Sequence, residues 1–511
     1  MKQYDIYNRS IAFDGYFCFL FLAFFFLNNP IYSQDQPFLS EYWTNAGGET
    51  AMFYRSTTTT DNQGNVYVAG STINLDGNHD ILLQKFDEKG ILLWEQTYNG
   101  AANMDDAASD VFVDNFYNVY ITGTAVDNVN DDQDLIVLKY NVNGVLQDEY
   151  YYNNSLGTPI PKDAGTSIII IGSKVYVTGM SFGQNSLADF VTISLYTDGL
   201  NEIWVSRYNY VNLHDIPTKI NFKENSVYVS GASQSDPTKW ELVTVSYNSS
   251  NGTQNAVNRT TGNATNGVDE IYDATIDNQG NIYLVGAVKN QNTDYDLAIY
   301  KLDEDLNLIW EKFYDSEGLD DRGKGIKVDD NQNVYIAGYV TTTNQGKNYI
   351  LRKYKNDGTL LWSKQYNGTD NENDEAVQLI LGYNQVFVTG KSKSEDFYSI
   401  QTLLYNEDGE FITQAEYEMK DHHIEPVYMS SDNQGGVIIL GQFESDNNFK
   451  TLTIKYNFLE KPIDILLEEG ELSYNANELI IRFNKDVMNK IHHLALCHLL
   501  CLIIMELPLQ E

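Results

Sequence analysis

The chain is poor in the residue types that carry most familiar protein chemistry. Of its three cysteines, Cys18 lies near the N-terminus and Cys497 and Cys501 near the C-terminus, so no disulfide can staple the long stretch between them. Only four of the seven histidines, His79, His214, His422 and His423, fall in that stretch. Basic residues are scarce as well, 33 Lys and Arg against 71 Asp and Glu, a net charge of −38. Nucleic-acid binding needs a basic stripe that displaces counterions from phosphates, so this balance excludes it, and no polybasic segment suits an anionic membrane surface. The apolar run Tyr16–Leu27 ends after a dozen residues, short of the roughly twenty that span a bilayer. Neither an HExxH zinc helix nor a GxxxxGK[ST] phosphate loop occurs, and no catalytic constellation stands out.

What is abundant is repetition. The phrases NVYVAG, NVYITG, KVYVTG, SVYVSG, NIYLVG, NVYIAG, QVFVTG and GVIILG end on Gly70, Gly123, Gly179, Gly231, Gly286, Gly338, Gly390 and Gly441, spaced 51 to 56 residues apart. Periods of this size signal propellers, solenoids or arrays. Each unit holds an apolar run before the phrase, as in Asp105–Asp114, and another after it, as in Asp134–Tyr140. A turn such as Asn356, Asp357 and Gly358 then leads into a fourth run, TLLWSKQYNG at Thr359–Gly368. Short Val, Ile, Leu, Tyr and Phe runs bounded by Gly, Asn and Asp are strands, not helices. Four strands make a sheet too small to bury both faces alone, so the units must stack, and radial stacking gives an all-β propeller of four-stranded antiparallel blades.

The two ends of the array decide between an open stack and a ring. The last unit has three strands, ending at Thr451–Asn457, without the expected fourth. LSEYWTNAGG at Leu39–Gly48 matches the fourth-strand phrase LLWEQTYNGA of Leu92–Ala101 and precedes the first unit. An N-terminal strand is therefore expected to close the last blade, which removes two sheet edges open to aggregation and favours eight blades over seven.

Outside the array, Lys2 and Arg9 ahead of the apolar run, with Ile31, Tyr32 and Ser33 after it, read as a secretory signal over 1–33. The expected order is then propeller 34–458, the start of a truncated C-terminal β module 459–489, and an atypical tail 490–511. That tail holds His493, Cys497, His498 and Cys501, which lack a paired ligand cluster elsewhere and read as a disordered or artefactual gene end, not a zinc site. Export would place the protein outside the cell or on its outer surface, with no membrane span in the mature chain. A cysteine-free exported body points to bacteria.

Acidity suggests either solubility or cation binding, calcium above all. Asp106, Asp163, Asp215, Asp269, Asp321 and Asp374 stand 16 or 17 residues before their glycines, and Glu425 takes that place in the eighth unit. They open the first strand, so they either ring the channel mouth or cap turns through backbone N–H groups, and recurrence in nearly every blade favours the scaffold role. A second set opens the third strand: Asp80, Asp134, Asp189, Glu241, Asp296 and Asn348. The loop carrying Asp127, Asp131, Asp132 and Asp134 is the best single calcium candidate, although it lacks the spacing of an EF-hand. Trp94, Trp204, Trp310 and Trp362 share one fourth-strand position and read as blade packing, whereas Trp240 is off-register, a ligand contact or a filler beneath a loop.

The pattern NVYVxG, DxxLxKY, dGxLLWxxxYxG and DxAxxIxVD resembles the bacterial β-propeller repeat family often labelled SBBP, with units five and six nearest it. That resemblance implies a secreted or surface protein and supplies no catalytic residue. The expected function is a non-catalytic, monomeric surface propeller that binds a protein or glycan through its face loops, where sequence varies while strands repeat. The alternative is a quinone-dependent (PQQ-like) dehydrogenase with calcium, which needs a stacked tryptophan and a calcium-bound acid in the channel. A channel-mouth lyase or hydrolase would need a basic or histidine cluster, and none is legible along the chain.

Overall fold

The computed structural model describes Phe38–Leu459 apart from 51–56, 128–132, 155–161, 184–185, 263, 265–266, 292–293, 369, 395–396, 433, 446–447. Beyond this body it describes one hairpin, Ser473–Asn475 with Glu478–Ile480. The leader expected over 1–33 and the tail 490–511 lie outside the described residues. No α-helix occurs among the described residues, and none is long and apolar enough to cross a membrane.

Within Phe38–Leu459 the strands form eight four-stranded antiparallel blades, the fourth extended by the two-residue strand Gly267–Val268, which pairs in parallel with Lys239–Asn248. Blade one is Thr57–Thr60, Val66–Ile73, His79–Phe86 and Leu92–Tyr98, in that spatial order. Each landmark phrase opens or fills a second strand. Consecutive first strands touch all round the molecule, and the eighth, Ile424–Ser431, meets the first, Thr57–Thr60, so the ring is closed and its first strands line the channel. Phe38–Thr50 pairs antiparallel with Asn448–Leu459, from Phe38 opposite Leu459 to Thr50 opposite Phe449, as the fourth strand of blade eight. The chain ends of the array thus meet in one sheet.

Burial follows from this stacking. All residues of Val66–Ser71 are buried because neighbouring blades cover both faces of the sheet, hence the uninterrupted apolar run instead of an alternating one. The outer strand Leu92–Tyr98 alternates instead. Core clusters cross blade boundaries: Tyr67 and Ile81 of blade one pack with Val119 and Ile136 of blade two. At the closure Val66, Val68 and Phe86 pack with Ile438 and Leu440 of blade eight.

At one end of the ring the turns are nearly identical. Asp61 accepts the backbone N–H groups of Gln63 and Asn65 at 2.9 and 3.0 Å, and the Tyr67 hydroxyl donates to its other oxygen at 3.0 Å. Asp114, Asp277 and Asp329 repeat the arrangement with Tyr120, Tyr283 and Tyr335. Blade eight has Ile438 in the tyrosine position, and buried Lys455 from the facing strand instead pairs with Asp432 at 3.1 Å. At the same end the indole N–H of Trp94, Trp204, Trp310 and Trp362 donates to a carbonyl in the next blade's last turn, at Val142, Ser249, Asn356 and Glu407, 2.9 to 3.1 Å away. Gly144, Gly252, Gly358 and Gly409 in those turns have φ between 72° and 80° and lie against the indoles, so a side chain there would be both strained and blocked. These four tryptophans are blade packing.

Candidate functional site at the variable end of the channel

The other end of the ring, where first and third strands begin, is where the repeat breaks down. The six recurrent aspartates stand here, but they do not face a ligand. Asp106, Asp163, Asp215, Asp269, Asp321 and Asp374 are at most 2 % exposed, and each accepts backbone N–H groups that tie the incoming loop to its own blade. Asp269 takes Gly262 N–H at 2.9 Å and Lys289 N–H at 2.8 Å, and Asp321 takes Ser316 at 2.6 Å and Thr341 at 2.8 Å. Asp163 accepts Asn154 N–H at 2.8 Å, and Asp374 accepts Gly368 N–H at 2.6 Å. Of the two roles open to them in the sequence, turn capping is the one in place.

Burial outweighs those hydrogen bonds and pushes Asp106, Asp215 and Asp321 up to about 6. The folded chain therefore binds protons on these groups more tightly than the unfolded chain does, and stability falls as pH rises through the window from about 4 to about 6. The melting temperature is expected to be higher at pH 5 than at pH 7.5. Asp321→Asn should reduce that difference while lowering stability by about 1–3 kcal/mol through mismatched donors. A melting temperature that climbs steadily from pH 4 to 7 would refute this assignment.

The histidines of this end are staples as well. Nδ1 of His214 accepts Ala188 N–H at 3.4 Å and Nδ1 of His423 accepts Tyr398 N–H at 3.2 Å, each holding the start of the previous blade's third strand. Trp240 lies parallel to the His214 ring, 6.2 Å away, and its strand pairs in parallel with Gly267–Val268 between blades four and five. In blades three and four an arginine from the fourth strand joins the third-strand acid: Arg207 meets Asp189 at 2.7 Å, and Arg259 meets Glu241 at 3.0 Å. Gly179–Gly183, GMSFG, fits the GxSxG pattern, but it lies on and just past the second strand Lys174–Phe182, where buried Ser181 accepts a hydrogen bond from Arg207. That pattern needs a sharp strand-to-helix turn to act as a nucleophile elbow.

Of the calcium candidates, Asp127 is half-buried beyond the second strand of blade two, and Asp134, fully buried, opens the third strand opposite Ala125. Asp131 and Asp132 lie outside the described residues. Among the described residues no three His, Cys, Asp or Glu side chains are grouped to hold a metal.

The feature missed in the sequence is a basic and aromatic cluster on blades five to seven. Arg322, first residue of its strand, meets Glu270, first residue of the preceding blade's strand Glu270–Ile276, at 2.5 Å, and Asp320 at 2.7 Å. Two residues on, Lys324 Nζ sits 3.3 Å from the centre of the Tyr272 ring and 5.9 Å from that of Tyr339. Lys347 lies 4.2 Å over Tyr339 and pairs with Glu375 at 3.0 Å, and Lys391 pairs with Glu425 at 3.0 Å. Glu270, Tyr272, Arg322 and Lys324 stand on adjacent first strands, which line the channel, and Tyr339, Lys347 and Lys391 reach this group from second and third strands. The signal was present: the residue after the capping acid is Ala107, Ala164 and Ile216 in blades two to four, but Glu270, Arg322 and Glu375 in blades five to seven. In blade eight the register puts Ile424 at the capping position, opposite Phe443, so Glu425, aligned with the aspartates by its spacing, instead follows that position as Glu375 does.

No family model matches the chain, and no curated protein matches it. Solved structures do. A quinohemoprotein alcohol dehydrogenase from Pseudomonas putida has a TM-score of 0.50 at 11 % identity over 88 % of this chain and 80 % of that one. A second, from Comamonas testosteroni, has a TM-score of 0.49 at 10 % identity over 86 % and 78 %. Sqt1 from Chaetomium thermophilum has 0.50 at 8 % identity over 82 % of this chain and 99 % of that one. At such identities the likeness is one of fold, and the chain is an eight-bladed β-propeller whose function must be argued from its own residues.

Proposed function

We propose that this chain is a non-catalytic, secreted or surface propeller of the SBBP-like kind, acting as a monomer that binds a glycan or protein at the variable end of its channel. The carrying observation is the contrast between the two ends. One end spends its side chains on near-identical turns. The other departs from the repeat, with a basic and aromatic mouth on blades five to seven in a chain of net charge −38. A quinone-type dehydrogenase reading is less well supported, because Trp94, Trp204, Trp310 and Trp362 are on fourth strands, away from the channel. Calcium at Asp127, Asp131, Asp132 and Asp134 belongs to the same reading as a structural ion, checked by the melting temperature with and without chelator.

The test is a glycan and protein array probed with the full chain. Binders should be lost when Lys324 and Lys347 are both changed to Met. A blank array, or reduction of a dye by the protein loaded with quinone and calcium, would sink the binding reading.

A further inference from the structure

Most cations of the channel mouth already have a carboxylate. Arg322 has Glu270 and Asp320, Lys347 has Glu375, and Lys391 has Glu425. Lys324 is different: among the described residues its half-buried ammonium makes no salt bridge and no hydrogen bond, only the contacts with the Tyr272 and Tyr339 rings. Ring faces offset part of the desolvation of an ammonium but accept none of its hydrogen bonds, which are left to solvent or a ligand. A half-buried cation held against ring faces, with no carboxylate at salt-bridge distance among the described residues, can seat an anion.

Resting on the binding reading above, we infer that Lys324 receives the carboxylate of a single sugar acid of the uronate type, whose hydroxyls meet the flanking carboxylates Glu270 and Glu375. Two observations select this chemistry. Acid side chains beside the lysine accept from hydroxyl groups but repel a second negative charge, so the ligand carries one acid group among many hydroxyls. The net charge of −38 likewise disfavours a long polyanion while leaving a singly charged residue or chain end little penalised. The mouth of a ring of first strands also admits a small group more readily than a flat protein surface.

The charges facing Lys324 are Arg322 on its own strand, Glu270 and Tyr272 on the preceding first strand, Glu375 on the next, and Tyr339 and Lys347 on the other strands of blade six. Burial, followed by Arg322, pulls the Lys324 ammonium down to about 8. Affinity for an acid group should therefore hold from pH 6 to 7 and fall about thirtyfold by pH 9.5 as the ammonium is lost.

The experiment is calorimetric titration of the full chain with sodium glucuronate, glucose and sodium sulfate in parallel. Expected is a glucuronate Kd of about 1 mM or tighter, at least tenfold weaker binding of glucose, and no comparable binding of sulfate. Lys324→Met should weaken glucuronate binding at least tenfold, and Lys324→Arg should retain it and abolish its loss at pH 9.5. If Lys324→Met fails to fold, Lys324→Gln serves in its place. Glucuronate binding indifferent to these substitutions, or equalled by glucose or sulfate, would overturn the inference. Neutral glycans or proteins captured on the array without any glucuronate binding would overturn it too, yet leave the binding function standing.

Discussion

Deletion of Phe38–Thr50 should leave a protein that no longer folds to a soluble monomer. The missing strand bares the whole edge of Asn448–Leu459, which it pairs from Phe38 to Thr50, and removes Leu39 from a core cluster that includes Ile439, Ile454 and Tyr456. An exposed, apolar edge strand is a template for pairing with another chain. Opening the ring also uncouples blade eight from blade one, whose cores meet through Ile438, Leu440, Val66 and Val68. Because domains are stable by only about 5–15 kcal/mol, a loss spread over a whole strand consumes most of that margin. Light scattering and size exclusion should show aggregates, and moving the same thirteen residues to follow Leu459 through a short linker should restore the monomer. A monomeric deletion variant with an unchanged melting temperature would show that the strand does not close the ring.

Gly338→Ala should destabilise the protein by about 3 kcal/mol or more, read as a lower urea midpoint at unchanged slope. A Cβ on Gly338 would lie 2.0 Å from the carbonyl oxygen of Arg322 and 2.9 Å from Cα of Gly323. The approach occurs beside a bulge, where pairing of the first and second strands skips a residue between Gly323 and Gly325. Gly123, Gly179, Gly286 and Gly390 meet the corresponding carbonyl at 1.9 to 2.1 Å, so the effect should recur there. Gly441 is the internal control for the carbonyl's approach, because its blade keeps the same bulge, between Pro426 and Tyr428. Its nearest neighbour is the Ile400 Cδ1 methyl at 2.6 Å, with the Glu425 carbonyl back at 3.5 Å, and a side-chain end can move where a backbone cannot. Gly441→Ala should therefore cost about 1 kcal/mol or less. Equal losses at the two positions would rule out the close carbonyl as the reason for the repeated glycine.

That glycine shows how much could be read along the chain. Its recurrence announced eight units, and the run of buried residues before it announced strands covered on both faces. The reason for the glycine was hidden, because the carbonyl it must clear comes from another strand. The aspartates behave alike: their spacing located them at the opening of the first strand, yet channel ligand and turn cap place a carboxylate at the same point in the sequence. Only the backbone N–H groups of Thr341 and Ser316 converging on Asp321 separate the two.

The channel-mouth cluster was less legible still. Glu270 and Arg322, or Tyr272 and Lys324, are 52 residues apart and meet only because equivalent positions of adjacent blades face each other across the ring. Reading each unit against a consensus treats such residues as noise, whereas folding stacks the noise of neighbouring units into one patch. Periodicity is local information, and it was enough to set the blade, the count and the shared sheet at the chain ends, since strands bury apolar faces in one way wherever they recur. The pairing of charges across blades depends on distances that no local pattern carries. It took the closed ring to set Lys324 between the Tyr272 and Tyr339 rings, with no salt bridge of its own among the described residues.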